Sequence, residues 1–145
     1  MNIKKFFTED QKKQILYAIG QAEQQTSGEI RLHLEKKCAD PPLERAAKLF
    51  QKLQMHKTQQ RNGVLIYLAV RDKKLAVFGD EGINQAVPDN FWADVKDELK
   101  GYLANGNYSE GVIAAINRIG EKLKEFFPYQ DNDINELPDE ISTGT

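Results

Sequence analysis

Cysteine is almost absent from this chain of 145 residues: Cys38 stands alone, so no internal disulfide can form and the chain is permitted in a reducing compartment. Long apolar runs are missing as well. The longest, 63–70, is far shorter than the ~20 residues a membrane helix needs. Met1-Asn2-Ile3-Lys4-Lys5-Phe6-Phe7 begins like an export signal but turns polar at Thr8-Glu9-Asp10, without the apolar segment such a signal requires. A cytoplasmic location without membrane insertion is the expectation. Nor is one sign of charge in excess, since 20 basic and 22 acidic side chains leave a net charge of -2. That balance supplies no field to steer a polyanion, so nucleic acid is not an expected partner. A phosphate-binding glycine loop, a dinucleotide fingerprint and a nucleophile elbow are all lacking, which disfavours nucleotide-driven and serine-hydrolase chemistry. The two histidines, His33 and His56, have no metal-ligand spacing to each other or to Cys38.

What is present suits one globular domain. Hydrophobic residues make up 40% of the chain, and this length buries roughly two thirds of the surface exposed on unfolding. Thr8 followed by Gln11 is a capping-box pattern, and Ile15, Ile19 and Ala22 then share one face of a helix over 9–25. Glu29-Ile30-Arg31-Leu32-His33-Leu34-Glu35 alternates with period two, predicting a strand with one buried face and His33 on the other. Pro41-Pro42 opens a second helix, on which Leu43, Ala46, Ala47, Phe50 and Leu53 fall inward. The apolar run 63–70 reads as a strand covered on both sides, parallel to the first, and 75–79 as its hairpin partner. A short helix or turn follows at 83–87. Two long helical faces come next: Trp92, Val95, Leu99, Tyr102 and Leu103, then Val112, Ile116, Ile119, Leu123 and Phe126. Gly111 and Gly120 inside the last helix point to close packing. Residues 129–145 are acidic, breaker-rich and aperiodic, and are expected to form a flexible tail after a single domain at 1–128.

This topology gathers carboxylates at one sheet edge. Glu29 and Asn62 open the two parallel strands, and the hairpin partner delivers Asp80 and Glu81 to the same place, with Asp89 close behind in sequence. Calcium and magnesium prefer several oxygen ligands, which Glu29, Asp80, Glu81 and Asp89 could supply. Ordinary caps and solvated turns use the same residue types. Arg61, directly before the buried strand, is placed either to pair with Glu29 or Asp80 or to contact a phosphate. Cys38 beside Lys36 and Lys37 reads as a passive, partly buried thiol.

Four stretches taken together resemble the TPM domain family. They are Thr26-Ser27-Gly28-Glu29-Ile30, Arg61-Asn62-Gly63-Val64-Leu65-Ile66, Phe78-Gly79-Asp80-Glu81-Gly82 and Asn105-Gly106-Asn107-Tyr108-Ser109-Glu110-Gly111-Val112. The resemblance runs from Phe6 to Pro128. It implies an α/β fold, a small mixed β-sheet sandwiched between helices in three α/β/α layers, with an acidic cleft that holds calcium or another divalent ion in some members. Glu29, Asn62, Asp80, Glu81 and Asp89 are the matching positions. Here the loop begins Gly79-Asp80-Glu81, where the family often has a small or aromatic residue and another glycine.

Two functions follow from the resemblance. One is a soluble domain binding calcium or magnesium, serving protein interaction, repair or quality control through an unidentified protein partner. The other is a metal-assisted phosphatase acting on a phosphorylated substrate, with Arg61 and Asp80 as its candidate catalytic residues. A monomer is expected, because no exposed coiled-coil stripe is present.

Overall fold

Thr8 opens the first helix through a complete capping box. Its hydroxyl accepts from the Gln11 N–H at 3.1 Å, and the Gln11 side chain accepts from the Thr8 N–H at 2.9 Å. The computed structural model describes residues 2–129 and 141–144. Within them lie α1 (Glu9–Glu23), β1 (Glu29–Glu35), α2 (Pro42–Lys52), β2 (Gly63–Ala69), β3 (Lys74–Gly79), α3 (Glu81–Ala86), α4 (Phe91–Ala104), α5 (Tyr108–Phe126) and β4 (Ile141–Thr143).

The sheet has the order β3-β2-β1-β4. β1 runs parallel to β2 in the register Glu29 to Gly63 through Glu35 to Ala69, while β3 returns antiparallel to β2. Period-two alternation then divides the side chains between two cores. Ile30, Leu32, Leu34, Val64, Ile66 and Leu68 join the core built with α1, α4 and α5. On the other face Leu65, Tyr67 and Ala76 meet Ala46, Leu49 and Phe50 of α2. Helices therefore cover both faces of a mixed sheet, in three layers. The glycines of α5 mark close approaches, as their positions suggest. A Cβ on Gly111 would stand 2.6 Å from the Tyr102 Cβ, and one on Gly120 would stand 2.9 Å from the Ala22 Cβ.

Three expectations change. β1 is an interior strand, flanked by β2 and β4, and is buried along its whole length, including Glu29, Arg31, His33 and Glu35 on the face expected to be solvated. Residues 141–144 of the expected tail return to the sheet: β4 pairs in parallel with β1, Leu32 opposite Ile141 and Leu34 opposite Thr143, and the Gly144 N–H donates to Leu34 O at 2.9 Å. Residues 130–140 of that tail lie outside the described residues. Finally, Leu43 and Phe126 are exposed although their spacing turns them inward. Both occupy terminal turns, where a helix reaches past the layer it packs on.

Candidate functional site

The edge of the sheet where β1 and β2 begin and β3 ends does bring together three of the expected residues. Glu29 stands opposite Gly63, and the Asp80 N–H donates to Gly63 O at 3.0 Å, so the backbones of Glu29, Gly63 and Asp80 lie side by side. Asn62 immediately precedes Gly63. Glu29, Asn62 and Asp80 are all buried, at 3%, 1% and 4% exposure. The remaining two are set apart by their exposure: Glu81 is the first residue of α3, and Asp89 lies in the turn before α4.

Arg61 resolves the choice left open by its position. Its Nε and Nη2 donate to the Asp80 carboxylate at 2.7 and 2.8 Å, a two-pronged ion pair that raises the guanidinium pKa through the hydrogen bond and charge of Asp80. Asp80 also caps α3, since its Oδ1 accepts from the Glu81 N–H at 2.8 Å. Gly82 is required beneath this loop. Its N–H donates to Arg61 O at 2.8 Å, and a Cβ there would come within 2.1 Å of Gln60 O.

Asn62 is held from two sides, yet one of its atoms stays unused. Its N–H donates to the Thr58 hydroxyl at 3.2 Å, and its Nδ2 donates to the Ser27 hydroxyl at 3.2 Å, which also accepts from Gln60. The buried Oδ1 has no hydrogen-bond partner among the described residues. An orphaned buried acceptor costs about 1–3 kcal/mol. An oxygen-seeking cation is one group that would satisfy it. No three His, Cys, Asp or Glu side chains among the described residues are gathered to hold a metal. The residues at this edge therefore fit only a mixed oxygen set of carboxylate, amide and carbonyl donors, of the kind that hard cations accept.

At the opposite end of β1 lies a polar network that periodicity alone did not disclose. Glu35 Oε1 accepts from Arg45 Nη2 at 2.5 Å, and Glu35 Oε2 accepts from Arg45 Nε at 3.2 Å and from the Tyr67 hydroxyl at 2.7 Å. His33 bridges onward, with Nε2 at 3.3 Å from Glu35 Oε1 and Nδ1 at 2.8 Å from Ser142 Oγ. Burial would push the Glu35 carboxyl up, but the hydrogen bonds from Arg45, Tyr67 and His33 outweigh it and hold the pKa below the usual carboxylate value. Burial lowers the His33 pKa against the pull of Glu35. A neutral imidazole fits these contacts in one tautomer, with Nε2–H donating to Glu35 and Nδ1 accepting from the Ser142 hydroxyl. The signal available in the sequence was the apolar stripe of α2, which needs a sheet face to cover. That stripe covers β2 and β3, on the sheet face that the polar residues of β1 share.

Comparison with known proteins agrees with this architecture. The TPM domain profile matches residues 2–122. Among solved structures, the chain is similar to the BA42 protein of the psychrophilic bacterium Bizionia argentinensis, determined by NMR, with 42% identity, 96% of each chain covered and a TM-score of 0.89. The N-terminal domain of the cg2496 protein from Corynebacterium glutamicum shares the fold, with a TM-score of 0.62 at 13% identity over 81% of this chain and 74% of that one. No protein of curated function matches the chain.

Proposed function

Because the chain belongs to the TPM domain family, we propose that it is a divalent-cation-binding module that takes calcium or magnesium at the sheet edge formed by Glu29, Asn62 and Asp80. The observation that carries this reading is the buried Asn62 Oδ1, an amide oxygen with no hydrogen-bond partner among the described residues, in a residue 1% exposed. Hard cations take such oxygens together with carboxylates and backbone carbonyls. Glu81 and Asp89, both exposed, would have to move inward to join the set, because no three carboxylates among the described residues are gathered here. Arg61 occupies Asp80 as an internal cation, and 42% of its side chain is exposed, so it has room to withdraw.

A bound divalent ion would neutralise the acidic edge and stabilise the loop before β2 by binding the folded form preferentially. This asks for no nucleophile and no general acid. The phosphatase reading asks for more. It would assign Arg61 to a phosphoryl oxygen while Asp80 holds metal or water, yet in this structure Arg61 and Asp80 are committed to each other.

Calorimetric titration of the metal-free protein with calcium and magnesium tests the proposal, alongside Asp80→Asn and Asn62→Asp. Saturable binding is expected, lost in Asp80→Asn and tightened about tenfold in Asn62→Asp, where a carboxylate replaces the amide. Absence of binding by both the folded wild type and Asn62→Asp would overturn it.

A further inference from the structure

The opposite end of the sheet holds a second feature that the cation site does not use. β1 separates the two by its full length, roughly 20 Å at a strand's rise per residue. Here a cleft of about 800 Å³ opens over the His33–Glu35 network, between α2, the turn at Ile3–Lys5 and β4. Its volume lies within the range of small-molecule sites.

The charge lining this cleft is one-sided. Lys4, Lys36, Arg45 and Lys52 border it, and Glu35 is the only carboxylate among its described lining residues. Glu35 is already matched, since Arg45 grips both of its oxygens and Tyr67 and His33 contact them too. None of Lys4, Lys36 and Lys52 takes part in an ion pair among the described residues. Arg45 meets Glu35 through Nε and Nη2, leaving Nη1 and its N–H donors for another partner, and 33% of its side chain is exposed. The guanidinium is thus pinned in place by a buried carboxylate while still presenting a donor edge. Such a fixed fork loses less freedom on binding an anion than a solvated side chain would.

We propose that this cleft binds a small polyanion of the tricarboxylate or diphosphate class, with Arg45 as the oriented contact and Lys36 and Lys52 as the neutralising charges. A monoanion would leave most of the positive charge unanswered. A ligand bearing several negative groups matches three ammonium groups that are unpaired among the described residues and one half-used guanidinium. The site is independent of the cation edge, so either can fail without the other.

The chain contains two histidines, and they form an internal control: His33 lies in the floor of the cleft and His56 in the turn at Met55–Lys57. Metal-free protein is titrated with citrate and, separately, with pyrophosphate in low-salt buffer while the imidazole resonances of both histidines are followed by NMR. The expected result is a saturable shift of His33 with His56 unmoved, the tighter of the two anions identifying the ligand class. Lys52→Glu, at an exposed position, and Lys36→Glu, at a half-buried one, are each expected to weaken binding by about tenfold. Raising the ionic strength from about 0.01 M to 0.15 M should weaken it further, as the screening length shortens. No saturable His33 shift with either anion in the folded protein would overturn the proposal, as would binding that both charge reversals leave unchanged.

Discussion

Arg61 holds Asp80 through two nitrogens, at 2.7 and 2.8 Å, while its own carbonyl accepts from the Gly82 N–H at 2.8 Å. The residue is thus tied by side chain and backbone to both sides of the junction between β3 and α3. Its left-handed backbone, with φ of 51°, is held in place from both ends. This pairing decides how the acidic edge behaves. A carboxylate that looks available in the sequence is engaged by a guanidinium and by the first turn of a helix.

Removing the guanidinium should therefore free Asp80. Arg61→Gln is expected to lower the thermal midpoint while tightening calcium or magnesium binding, because the internal competitor is gone. Thermal melts and calorimetric titration of the same sample read both effects. An unchanged cation affinity would show that Arg61 does not compete for the site.

Backbone proximity at Gly82 leads to a sharper contrast. Gly82→Ala would bring a Cβ within 2.1 Å of Gln60 O and 2.6 Å of Arg61 O, so the 60–61 loop must move. A loss of about 3 kcal/mol is expected in urea unfolding. Gly101→Ala, on an exposed position of α4 with nothing within 4 Å, should instead stabilise by about 0.5–1 kcal/mol.

The Tyr67 hydroxyl supports an ionised carboxylate in the core. Tyr67→Phe deletes the 2.7 Å bond to Glu35 Oε2 and leaves that oxygen with the longer Arg45 contact alone. The expected cost is about 1.5–3 kcal/mol, the range for hydrogen bonds to charged groups. Glu35→Gln combined with Tyr67→Phe should cost less than the sum of the two single changes, a coupling that a double-mutant cycle measures.

Acid should weaken the fold through His33 as well as Glu35. Both groups titrate lower in the folded protein than their ordinary values of 6.5 and 4.5, so the unfolded chain binds protons more readily. The stability they contribute is complete above those values and declines as pH falls through them. For His33 the decline begins near pH 6.5, and for Glu35 near pH 4.5. His33→Gln should flatten the first part of this profile, as read by chemical denaturation at a series of pH values, and leave the second in place.

The local rules of the chain alone were enough to set its element order. The capping box at Thr8, the proline start of α2, the unbroken apolar run of β2 and the helical stripes of α4 and α5 each follow from interactions within one element, and each forms where its pattern lies. The edge that unites Glu29, Asn62 and Asp80 was also legible, because strand direction places strand ends. What the tertiary structure decided was which groups meet across elements. Arg61 could have paired with either carboxylate, and loop geometry gave it Asp80. His33 and Glu35 alternate like residues on a wet strand face, but Arg45 of α2, Tyr67 of β2 and Ser142 of β4 close around them, and both are buried. Ser142, far away in sequence within a stretch lacking periodicity, reaches His33 only because β1 offers a free edge to which its backbone can pair. Periodicity records the demands of one element on its neighbours, whereas charge pairing and strand addition depend on distances that exist only after the chain has closed on itself.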